Sequence, residues 1–70
     1  MTTSAATVSL RRWLRRQLRQ RTPDRERLEA AIANDDPREA RRVVERMPFS
    51  DAQLHHVAEL LEQWERERTK

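Results

Sequence analysis

Seventy residues make one small domain, and a chain that is 39% charged and 36% hydrophobic has only just enough apolar material for a core. Cysteine and glycine are both absent, which excludes disulfides, thiolate metal sites and the glycine loops that cradle phosphates or present a nucleophile. The net charge of +3 conceals a split: the first 21 residues carry Arg11, Arg12, Arg15, Arg16, Arg19 and Arg21 and no carboxylate, whereas residues 22–70 hold nine basic and twelve acidic side chains.

Residues 1–7 are small and polar without apolar periodicity, so a disordered tail is expected there, followed by a single helical domain over residues 8–70. The first helix is predicted over 8–21. Leu10, Trp13, Leu14 and Leu18 recur at offsets of three and four, and at roughly 100° per residue Arg11, Arg12, Arg15, Arg16 and Arg19 fall on the opposite arc. A second helix is predicted over 23–33. Thr22 is suited to the N-cap, Pro23 to the first turn and Asp24 to the positive helix end, while Asn34 is the expected left-handed stop.

The third helix is predicted over 37–47. Asp36 caps it, Pro37 opens it, Glu39 is placed to reach back to the cap, and Ala40, Val43, Val44 and Met47 form the buried stripe. Pro48 ends it by disfavouring helical geometry at the preceding residue. The fourth helix is predicted over 51–67. Ser50 with Gln53 reads as a capping box, and Phe49 with Leu54 as a hydrophobic staple. Leu54, Val57, Ala58, Leu60, Leu61 and Trp64 cover an apolar arc of roughly 160°, wider than one neighbouring helix fills. That helix is therefore either central to the fold or in contact with a second chain. The fold class is all-α, a compact bundle of three to four short helices with short links.

Two surfaces carry functional expectations. The first is a basic face made of Arg11, Arg12, Arg15, Arg16 and Arg19, joined more weakly by Arg38 and Arg42 of the third helix. It has two fates: neutralisation by acidic helices, with Glu59, Glu62, Glu65 and Glu67 as candidates, or exposure to phosphates or an acidic partner. The second is a candidate apolar interface of Val57, Leu60, Leu61 and Trp64. Trp13 and Trp64 each read as core residues or as interface anchors.

Catalysis is not expected. Tyrosine is absent along with cysteine, Ser50 is accounted for as a cap, and the carboxylates lie among arginines that keep them ionised. His55 and His56 point about 100° apart on a helix and do not chelate one ion, so no metal, cofactor or small-molecule substrate is expected. A helix-turn-helix built from the second and third helices is disfavoured by Asp35 and Asp36 at the entry of its recognition helix. A membrane-surface role ranks low for so short an amphipathic helix. With no apolar block of spanning or signal length, the expected location is the cytoplasm. The first expectation is a non-catalytic module acting by protein–protein interaction, an adaptor, inhibitor or regulatory partner that self-association, as in a dimer, would suit. The alternative is a nucleic-acid-binding protein that uses the arginine face of the first helix with little base specificity.

Overall fold

The structure is a computed structural model that describes residues 4–68. Four helices follow one another: α1 (Ala5–Gln17), α2 (Pro23–Ala33), α3 (Pro37–Arg46) and α4 (Asp51–Arg68). Three of the four lie where their caps place them. Thr22 Oγ1 accepts from the Arg25 N–H at 3.1 Å, and Asp36 Oδ1 accepts from the Glu39 N–H at 3.2 Å. At the head of α4 both halves of the capping box form: the Ser50 N–H donates to Gln53 Oε1 at 2.8 Å and the Gln53 N–H to Ser50 Oγ at 3.2 Å.

Helix α1 starts three residues earlier than periodicity indicates and ends four earlier. The tail expected over residues 1–7 is helical from Ala5, with Ser4 as N-cap and residues 1–3 outside the described residues. The buried stripe continues backwards through Ala6 and Thr7, both too small or polar to register as apolar periodicity. At the other end Leu18 is extended (φ −120°, ψ 90°), so Arg19 and Arg21 lie in the connection to α2.

The turn between α2 and α3 also differs from the expectation. Asn34 stays at negative φ (−88°), and Asp35 takes the left-handed conformation instead, with φ 53°. The Asp36 N–H donates to the Ala31 carbonyl and the Asp35 N–H to the Ile32 carbonyl, the two bonds of a Schellman motif. Because the Asp36 N–H is committed there, Glu39 has no donor to reach back to, and only half of that capping box is made.

Packing follows the order α1, α4, α3, α2, with α4 in the middle. Helices α1 and α4 run antiparallel and are tied at both ends. The Ser4 hydroxyl donates to Glu67, and Gln53 Nε2 donates to Gln17 Oε1 at 3.0 Å. The core draws Leu10 and Leu14 from α1, Leu28 and Ile32 from α2, Val43 and Val44 from α3, and Val57, Leu61 and Trp64 from α4. The Cα radius of gyration is 11.2 Å, close to the ~11 Å expected of a compact chain of this length.

The wide apolar arc of α4 is consumed by this central position, which corrects the candidate apolar interface. Val57 (0% exposed), Leu61 (1%) and Trp64 (0%) are fully inside the protein's own core, and Leu60 is partly buried against it. Trp64 Nε1 donates to Asp35 Oδ1 at 2.6 Å, which satisfies the N–H of an indole removed from water. Phe49 and Trp13 pack at a tilt of 57° with ring centroids 5.4 Å apart, and Leu54 is left 41% exposed. Among the described residues no helix is long and apolar enough to cross a membrane.

Candidate functional site

Helix α1 turns Ala6, Leu10 and Leu14 toward the core, so its arginines occupy the remaining arc. At about 100° per residue Arg12 points directly away from the core, Arg11 and Arg15 lie on one flank, and Arg16 lies on the other. All four are exposed, as are Arg19 and Arg21 in the connection. Among the described residues none of these six takes part in an ion pair.

The carboxylates of α4 that were candidates to neutralise them are engaged elsewhere. Glu59 lies 3.0 Å from His55 Nε2, Glu62 lies 3.5 Å from Arg66, and Glu65 lies 3.7 Å from Arg41 of α3. Glu67 accepts from Ser4 and from Gln63. The reason is geometric. The side of α1 that meets α4 is its apolar stripe, so the guanidinium groups point away from the helix that holds the acids.

Two depressions lie along the basic face among the described residues. One is a groove of about 410 Å³ between α1 and α2, lined by Arg11, Arg15, Arg21, Arg25, Glu29 and Ala33. The other, of about 360 Å³, lies at the end of α1 and is lined by Arg16, Arg19 and their neighbours in the connection. Arg12 stands on the outer surface. Arg38 and Arg42 line neither depression. They belong to α3, and among the described residues the ion contact of Arg42 is a long one of 4.0 Å with Glu39.

Sequence reasoning misses Arg25 and Glu29 and leaves Arg21 outside the basic face. Arg25 is the least exposed of the arginines in ion pairs, its side chain 13% accessible. Its Nη1 donates to the Leu18 carbonyl at the end of α1, where the helix dipole favours a cation. Its Nε lies 3.4 Å from Glu29 Oε1, near enough for charge attraction but without the alignment of a hydrogen bond, and it is buried with no other acceptor. The sequence signal available was the i, i+4 pair of Arg25 and Glu29, which fits any exposed helix and says nothing of the α1 terminus.

The two histidines part company. His55 faces Glu59, and His56 stacks on Trp13 with ring centroids 5.5 Å apart. No protein-family model matches the chain, and no curated protein or solved structure is detectably similar to it.

Proposed function

We propose that this protein is a small non-catalytic binding module that docks on the phosphate backbone of nucleic acid through the arginine face of α1 and the adjoining connection. One observation carries the reading: six guanidinium groups have no carboxylate partner among the described residues, while the glutamates of α4 are occupied with other partners. A cluster of like charges held apart from its own counter-charges attracts and steers an anionic partner.

Nothing on this face favours reading bases. Its polar side chains are overwhelmingly arginines in loose array, and the amide pairs that recognise adenine are missing from the outer arc of α1. Affinity then comes from counterion release and falls steeply with salt. The competing reading, a protein docked on the apolar face of α4, loses the surface it needed, because Val57, Leu61 and Trp64 are core residues. A cytoplasmic place of action suits a nucleic-acid partner and a chain without cysteine.

The test is a titration of duplex DNA and duplex RNA at several salt concentrations. The Arg12→Ala, Arg16→Ala double variant is expected to lower the slope of log affinity against log salt, by at most about 2, the limit of one for each phosphate that is no longer neutralised. Absence of binding by the wild type at low salt rejects the reading.

A further inference from the structure

The groove between α1 and α2 differs from the rest of the basic face in how it is built. Arg11 and Arg15 line it one turn apart on α1, Arg21 lines it from the connection, and Arg25 from α2. Four arginines from three successive segments thus line one space, with Glu29 as the single carboxylate among its lining residues.

Arg25 is not a free charge in this arrangement. Held by the Leu18 carbonyl on one side and drawn to Glu29 on the other, it ties α2 to the end of α1 and anchors the segment that carries Arg21. The end of α1 and the start of α2, which carry these arginines, are therefore held together before any ligand arrives, which removes part of the ordering cost of binding. In a recess the field of several like charges is focused more strongly than on a convex helix surface, where solvent screens each charge separately.

We propose that this groove is a discrete site for one phosphate group, the anchoring phosphate of a duplex backbone, with Arg11, Arg15 and Arg21 as its ligands. Arg25 is the positioning residue, and Glu29, which pairs with Arg25 alone, is a built-in competitor whose negative charge at the groove repels the incoming phosphate. The proposal rests on the nucleic-acid reading above and deepens it by separating one site from the general basic face. Tetrahedral phosphate suits several planar guanidinium forks arriving from different directions, each offering paired N–H donors. A duplex is favoured over a single strand because no aromatic platform accompanies the groove. Trp64 is fully buried, and Trp13 lies on the other flank of α1, packed against Phe49 and His56.

Two double variants of equal charge loss on the same helix test it, read by fluorescence anisotropy of a short labelled duplex at fixed salt. Arg11→Ala with Arg15→Ala is expected to weaken binding about tenfold or more, and Arg12→Ala with Arg16→Ala about threefold, although each removes two exposed charges. Equal losses leave the basic face standing and overturn the groove. Glu29→Gln is expected to tighten binding about threefold, whereas Glu62→Gln, of the same charge change on another face, stays within about twofold. Equal effects of the two overturn the competitor role. If the wild type binds no duplex, the underlying reading fails, and inorganic phosphate then decides the groove by itself. Shifts of the Nε–H resonances of Arg11, Arg15 and Arg21 in the intact chain uphold it as a phosphate site, and their absence overturns it.

Discussion

Asp35 shows how much one side chain organises here. It occupies the left-handed region at φ 53°, where a residue with a Cβ is disfavoured by about 1–2 kcal/mol. Its carboxylate offsets that cost by accepting from Trp64 Nε1 at 2.6 Å and from Arg68 Nε at 3.2 Å, which latches the α2–α3 turn onto the end of α4. The Arg68 contact is solvent-exposed and contributes at most about 1 kcal/mol. The indole bond matters more, because a buried N–H left without an acceptor costs about 1–3 kcal/mol. Urea denaturation is therefore expected to rank the variants. Asp35→Asn, which keeps an acceptor and tolerates positive φ, loses about 1 kcal/mol or less. Asp35→Gly loses the acceptor but relieves the backbone, and Asp35→Ala is worst, at about 2–4 kcal/mol. An Asn variant as damaging as the Ala variant would show that the latch is electrostatic instead.

At the scale of elements, α4 decides what the other helices are able to present. Lying between α1 and α3, it buries Val57, Leu61 and Trp64, while Glu59 and Glu62 pair within α4 and Glu65 with α3. Leu61→Ala is accordingly expected to cost about 2–5 kcal/mol and to unfold a domain this small, visible as the disappearance of the thermal transition. Leu54→Ala, at a position 41% exposed, is expected to stay within about 1 kcal/mol. A folded Leu61→Ala protein that had lost only self-association would point back to an interface role. The early end of α1 matters in a different way. Because the helix stops at Gln17, Arg19 leaves its outer arc, and Arg21, which a longer helix would set beside the apolar stripe, lines the groove between α1 and α2 instead.

For the whole molecule, the charge split along the chain becomes a spatial separation, because the apolar stripe of α1 stands between its arginines and the acids of α4. Uncompensated like charges lower the stability of the folded state, and any anion that binds only that state raises it by mass action. Replacing chloride with phosphate at matched ionic strength is expected to raise the melting temperature of the wild type. The conversion is roughly 4–8 °C for each kcal/mol gained in a domain of this size. The Arg11→Ala, Arg15→Ala variant is expected to show a smaller rise. Equal shifts in both proteins would assign the effect to general exclusion of phosphate from the protein surface.

The helix count, three of the four N-terminal caps and the core stripes of α3 and α4 were legible in the sequence, because Thr22, Pro23, Asp36, Pro37, Ser50 and Gln53 act through bonds to residues within a turn of themselves. The start of α1 escaped because Ala6 and Thr7 carry too little apolar surface to mark a buried face, although Ser4 was there to cap it. Periodicity also recognises the wide apolar arc of α4 but not its occupant, since a neighbouring helix and a second chain present the same hydrocarbon. Pairing of charges was equally beyond the sequence. Whether Glu59, Glu62, Glu65 and Glu67 reach the arginines of α1 depends on how two helices are rotated about their axes, and packing of the apolar stripes sets that rotation. Local hydrogen-bonding chemistry determined the elements, and only the assembled core decided which charges face each other and which face the solvent.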